Sequence, residues 1–243
     1  MTTVMTSVAQ RRLMWLLAVG QLVVLLGLAF YPINSIMSRL PLLTLGLTLW
    51  ATALALAWPQ RRLRWSVVGV PIALLVVLLL PGRAVDTADL RARSVAALRH
   101  YDGVTYLWGG ENSIGIDCSG LVRRARMDAE WSYAFAHWDP AAIRRALSLW
   151  WFDQSAFAMG QLDRGTTVHL SEVENLATCP QDRYLPGDFA ILGGVHVVAA
   201  LGEGTWIEAD PSAEKVLILP PGSDNMWLKQ KATLVRWTVL QER

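Results

Sequence analysis

Three stretches near the N-terminus are apolar almost throughout: residues 13–30, broken only by Gln21; residues 40–58, with a proline and threonines near their start; and residues 65–80, interrupted at Pro71. Roughly 20 apolar residues cross the hydrocarbon core of a bilayer as a helix, and tilt absorbs small deficits. Helices of soluble cores seldom read as apolar on every face over such lengths. The pattern predicts three transmembrane helices within residues 1–82, with two spans plus a re-entrant segment as the alternative. A secretory leader would explain the first run alone, but no small-residue cleavage site follows it and two more runs do.

After Pro81-Gly82 the pattern changes. Leu90, Val95, Leu98 and Tyr101 recur near helical spacing behind Asp86 and Thr87, either of which can cap a helix running to about His100. Asp139-Pro140 pairs a cap with a proline at the first helical position and opens a second helix that ends in Trp150-Trp151-Phe152. Residues 185–210 read differently, as short apolar runs divided by Gly193-Gly194 and by glycines at 202 and 204, the pattern of strands joined by tight turns. Residues 215–219 and 232–240 also alternate in strand fashion. The expectation is an α+β domain over residues 83–243.

Charge sharpens this division. Residues 1–80 hold six basic residues (Arg11, Arg12, Arg39, Arg61, Arg62 and Arg64) and no acidic one, which leaves 16 basic and 20 acidic residues in 81–243. The soluble part is therefore mildly acidic, with no basic patch for phosphates, so nucleic acid is not an expected partner. Arg11 and Arg12 precede the first run, and Arg61, Arg62 and Arg64 fill the loop between the second and third. The excess of arginine on cytoplasmic loops puts the N-terminus inside and residues 81–243 outside after three crossings.

The chemistry concentrates in two segments. The first contains Tyr106, Trp108-Gly109-Gly110 and then Asp117-Cys118-Ser119-Gly120-Leu121-Val122. The glycines give a loop, and Asp117 can cap a helix that starts near Cys118. A thiol in a first helical turn faces the positive end of the macrodipole, which favours thiolate. Gly120 leaves room for a strand or substrate to approach. The second segment is Leu185-Pro186-Gly187-Asp188 followed by Gly193-Gly194-Val195-His196, so that a hairpin presents His196 at the start of a strand. Of the four histidines, His100, His137 and His169 lie in no comparable setting.

These residues resemble the NlpC/P60 family of cell-wall cysteine peptidases, over roughly residues 86–240. The resemblance implies a papain-like α+β fold in which a helix bearing the cysteine packs on an antiparallel sheet. It implies Cys118 as nucleophile, His196 as base, and a polar third residue on the next strand. Glu208 falls at the matching spacing, with Asp210 as its rival. A carboxylate there departs from the commoner family residue and would favour the imidazolium form. Tyr106, Asp117 and Ser119 match positions that help bind the free amine of a stem peptide in some relatives, although the last two also suit plain capping.

The implied activity is a membrane-anchored peptidase that hydrolyses amide bonds of peptidoglycan stem peptides. It would sit in the cytoplasmic membrane of a bacterium as a multi-pass protein, its catalytic domain on the periplasmic or extracytoplasmic side. The expected partners are the stem peptide and the lipid bilayer. No cofactor and no metal is implied. Two other readings stand beside it: a thiol acyltransferase or amidase acting on lipid or protein near the membrane, and a scaffold that only binds wall peptides. The chain departs from the family in an aromatic helical insertion near residues 128–160, which either packs on the domain or covers the site. Cys118 and Cys179 are the only cysteines, so at most one bridge could form.

The topology carries its own test. A protease added to intact spheroplasts should remove residues beyond Leu80 and leave the arginine-rich 61–64 loop protected. Protection of the whole chain would invert the orientation and deny the domain a polymeric wall.

Overall fold

The computed structural model describes residues 8–241. The chain divides into two units between Leu80 and Pro81.

The first unit holds α1 (Val8–Ala29), α2 (Ile36–Ala57) and α3 (Arg61–Leu79), each long and apolar enough to cross a membrane. The helices begin upstream of the apolar runs because arginine and glutamine are good helix formers, and the backbone ladder continues past the change in side-chain polarity. Pro71 lies inside α3 and has no N–H, so the carbonyl four residues back, on Val67, loses its helical donor. The indole Nε1 of Trp50 on α2 donates to that carbonyl at 3.0 Å. Thr52 on α2 likewise donates to the Gln21 amide oxygen on α1 at 3.3 Å. Where water is absent, polar groups freed from the ladder need such partners.

The second unit opens with α4 (Thr87–His100), capped by Asp86, whose carboxylate accepts from the Asp89 N–H. A small hairpin, β1 (Glu111–Asn112) and β2 (Gly115–Ile116), precedes α5 (Cys118–His137). Helices α6 (Pro140–Trp151) and α7 (Ala156–Gly160) follow, α6 with Asp139 as cap and Pro140 at its first position as the sequence predicts. Six strands complete the domain: β3 (Thr167–Val173), β4 (Phe189–Leu192), β5 (His196–Gly202), β6 (Thr205–Asp210), β7 (Lys215–Leu219) and β8 (Ala232–Trp237). They form one antiparallel sheet in the order β3-β8-β4-β5-β6-β7. The predicted final strand to Leu240 stops at Trp237, and a single 3-10 turn takes the chain over residues 238–240.

Alternation along the central strands feeds two cores. Val197, Ala199, Ile207 and Ala209 join the cluster with Leu121, Val122 and Ala125 of α5. Val198, Ala200 and Trp206 join a second cluster with Leu176, Tyr184 and Leu228. The chain before β4 is locked by Asp188, which is fully buried. Its carboxylate accepts from Arg91 of α4 at 3.2 Å, from Arg236 of β8 at 2.8 and 2.7 Å, and from the Leu185 N–H at 2.8 Å.

Removing one partner from a buried charge network leaves the others uncompensated. Asp188→Ala should cost about 3 kcal/mol and lower the thermal midpoint of the detergent-solubilised chain by roughly 6–12 °C. An unchanged midpoint would show that the triad contributes nothing net.

Candidate active site

The surroundings of Cys118 are built from glycines and one carboxylate. Gly109 takes a positive φ of 74°, and its N–H donates to Asp117 Oδ2 at 2.8 Å. Asp117 Oδ1 accepts from the Gly120 N–H at 2.6 Å and from the Ser119 hydroxyl at 2.9 Å. Asp117 thus caps α5 and clasps the preceding loop together. A Cβ on Gly120 would lie 2.1 Å from the Gly110 carbonyl oxygen, so the room that Gly120 provides is taken by the loop's own backbone. The Tyr106 N–H donates to the Glu214 carbonyl at 2.8 Å and ties the loop to the β6–β7 turn. The phenol of Tyr106 is pushed up to about 12, first by burial and then by the negative groups of Cys118, Asp117 and Asp210 near it.

Cys118 is the first residue of α5 and is 7% exposed. Its Sγ contacts the Val195 carbonyl at 3.9 Å, and the backbone N–H groups of Val197, Ser119 and Cys118 itself favour its thiolate. The thiol is therefore bracketed by the backbone on either side of His196. Its pKa does not fall as the helix position suggests. Burial, and next the neighbouring Asp117 charge, push the thiol up to about 12, and the N–H donors only partly offset them. Cys118 and Cys179 are both free thiols.

His196 opens β5 after a turn in which Gly193 and Gly194 have φ of 56° and 73°. The pairing of β5 with β6 sets Ala199 opposite Ile207, which places Glu208 diagonally from His196 on the same face. His196 Nε2 and Glu208 Oε2 lie 2.6 Å apart, both groups buried. Between the two carboxylates weighed from sequence, Glu208 therefore holds the ring. Asp210 instead accepts from Ser212 and Ala213 at 2.7 and 3.3 Å and closes the next turn. The other histidines stand apart: His137 pairs with Asp89, His169 is exposed on β3, and His100 ends α4.

Two residues at this site carry no sequence signal. Asn225 Nδ2 donates to Glu208 Oε1 at 2.6 Å, and the Trp227 ring stacks on His196 with centroids 4.0 Å apart and planes 18° from parallel. Both lie in a polar connection of no recognisable pattern, and only tertiary structure brings them here.

Of the segment near residues 128–160, the part up to His137 continues the cysteine-bearing helix, and α6 and α7 make up most of the rest. Helix α6 is bound to α5 through Arg145, which donates to both oxygens of the buried Glu130 at 2.8 and 2.9 Å. Trp150 packs against the core, and Phe152 lies under the Arg164 guanidinium at 3.8 Å. The insertion reaches the site through Phe157, which lies against Gly194, where a Cβ would meet its ring at 3.1 Å.

The model of the NlpC/P60 family matches residues 103–236. No curated protein matches the chain. Among solved structures, NlpC2 from Trichomonas vaginalis aligns with TM-score 0.40 and 18% identity, over 63% of this chain and 49% of that protein, so about half of that protein's length is spanned. The P60 domain of the M. avium subspecies paratuberculosis antigen MAP1204 aligns with TM-score 0.36 and 19% identity, over 65% of this chain and 100% of that one. The NlpC/p60 domain of the peptidoglycan hydrolase SagA gives 0.33 and 23%, over 59% and 97%.

A thiol raised to about 12 is protonated in the free protein at neutral pH. Alkylation of the Cys118 peptide by iodoacetamide, read by mass spectrometry, should accelerate about tenfold per pH unit up to at least pH 10. A plateau between pH 5 and 8 would instead reveal a resting thiolate.

Proposed function

The chain belongs to the NlpC/P60 family, and from that premise we propose that it is a membrane-anchored cysteine peptidase that hydrolyses amide bonds of peptidoglycan stem peptides. The observation that carries the reading is the convergence of Cys118, at a capped helix N-terminus, with the backbone flanking a His196 whose Nε2 is already engaged by Glu208. That engagement takes Nε2, and we assign the other ring nitrogen, Nδ1, to the thiol.

At pH 7 a thiol of pKa about 12 exists as thiolate in roughly one molecule in 10^5. A resting ion pair is therefore not the starting state, and His196 works as a general base during attack. As Cys118 Sγ bonds to the scissile carbonyl carbon, its proton passes to Nδ1. The carbonyl oxygen takes the negative charge, and we assign the Cys118 backbone N–H as the group that donates a hydrogen bond to it. His196 then gives its proton to the departing nitrogen, and the C–N bond breaks to leave a thioester. Water, deprotonated by His196, cleaves the thioester, and the proton returns to sulfur. Glu208 stabilises the imidazolium at each stage.

Asp117, Ser119 and Tyr106 are the residues we assign to the stem-peptide amine. Asp117 has no cationic side chain as partner among the described residues, which supports pairing with an ammonium. Such pairing would also offset one of the charges that hold the thiol protonated. The three apolar helices would anchor the enzyme in the cytoplasmic membrane, with the domain outside.

The acyltransferase reading draws on one observation. Trp108, Phe157 and Val195 are large, apolar and more than half exposed, and each lies within one or two residues of the site or packs on its turn. Chromatography with mass spectrometry of purified wall fragments separates the two. Wild-type protein should release new peptide fragments, and Cys118→Ala none. Absence of cleavage by a folded wild type whose Cys118 is intact would put the acyltransferase first.

A further inference from the structure

Tight hairpins join β4 to β5, β5 to β6 and β6 to β7, whereas β3 to β4 and β7 to β8 are longer connections between strands that are not neighbours. β7 is the edge strand, whereas β8 inserts between β3 and β4, so residues 220–231 must travel past β6, β5 and β4. That path crosses the strands that carry Glu208 and His196. The connection is not loosely held. Leu228 is 2% exposed in the second core, and its carbonyl accepts from the Ala177 N–H at 2.9 Å. The Trp227 N–H donates to Asn225 Oδ1 at 2.8 Å, and Lys229 pairs with Asp224.

We infer that Asn225 and Trp227 are positioning residues that hold the His196–Glu208 pair ready to take a proton from sulfur, an inference that rests on the reading of His196 as base. Asn225 acts on the carboxylate. By donating to Oε1 at 2.6 Å it leaves Oε2 to receive Nε2–H, which fixes the tautomer with a free lone pair on Nδ1. It also supplies the second donor that a fully buried carboxylate requires. Trp227 acts on the ring. Its indole covers one imidazole face, limits rotation about the Cβ–Cγ bond and keeps water off that face, while its π cloud favours a positive imidazole over a neutral one.

A detail of the packing argues that contact with His196 is what sets the indole's place. Trp227 Nε1 is buried and has no hydrogen-bond partner among the described residues. A buried tryptophan normally finds one, and leaving the donor unpaired weakens the fold. The side chain tolerates that loss while keeping its ring 4.0 Å from the imidazole. Phenylalanine would preserve the stack and remove the orphan donor.

The test is turnover of purified wall fragments by the full-length chain in detergent, with kcat and KM measured for Trp227→Leu, Trp227→Phe, Asn225→Asp and His196→Ala, and folding followed by thermal unfolding. Trp227→Leu and the isosteric Asn225→Asp should each lose about tenfold in kcat with KM within about twofold. Trp227→Phe should recover kcat to within about threefold of wild type, with a midpoint no lower than wild type. A kcat unchanged in Asn225→Asp and Trp227→Leu, beside an inactive His196→Ala, overturns the inference and leaves the base in place. Losses in Trp227→Leu that Trp227→Phe does not rescue, or that track a fallen midpoint while Asn225→Asp stays active, overturn it too. An active His196→Ala, or a wild type that cleaves nothing, removes the underlying reading and the inference with it.

Discussion

Asp117 gives one carboxylate to three donors: the Gly120 N–H inside α5, the Ser119 hydroxyl beside it, and the Gly109 N–H in the loop before it. A helix cap is commonly worth about 1 kcal/mol, and this one also sets where the helix begins, and so where Cys118 stands. The clasp works only because the backbones can meet. Gly110 would bring a Cβ to 2.4 Å from the Gly115 carbonyl oxygen, and Gly120 one to 2.1 Å from that of Gly110. With the loop pressed onto α5, the thiol is confined between the helix terminus and the start of β5. The rest of the site is arranged around that confinement.

Confinement and reactivity pull in opposite directions. The burial that orients Cys118 also raises its pKa to about 12, and the Asp117 charge adds to the effect, outweighing the donors at the helix terminus. Helix position alone therefore gives the wrong sign for this thiol. The proposed mechanism meets the difficulty by moving the proton only when substrate is present, which in turn requires a base already fixed in orientation. The 2.6 Å contact between the buried His196 and Glu208 side chains supplies that orientation at no further reorganisation during the reaction.

Much of this was legible in the sequence, for identifiable reasons. Helical spacing located α4, the Asp139-Pro140 pair located the start of α6, and apolar runs split by glycines located the central strands, which read as continuous because both of their faces are buried; Gly193-Gly194 marked the turn before His196. The three apolar runs located α1 to α3 but not their starts, because the helical ladder extends into arginine-bearing flanks. The spacing of twelve residues from His196 to Glu208 was visible, yet the choice against Asp210 was not. Both carboxylates share a strand face, and only the turn at 212–213 claims Asp210. How far α5 runs was not legible, and Trp131 and Phe135 prove to lie on the same regular helix as Cys118. Asn225 and Trp227 were invisible, since a crossover past three strands is a property of sheet order rather than of local pattern.

The two units of the chain each hold an indole N–H whose bonding is informative, and they use it differently. In α3, Pro71 strips the Val67 carbonyl of its donor, and Trp50 of the neighbouring helix restores one at 3.0 Å. There an indole N–H is spent on backbone satisfaction, as a helix that crossed a membrane would require. At His196 another, half-buried indole has its N–H out of solvent without a partner among the described residues and its face against the imidazole. Stability alone would select the first arrangement and reject the second. The contrast is intelligible if the Trp227 ring is kept for what it does to the imidazole, since functional sites are where a fold accepts an unsatisfied group.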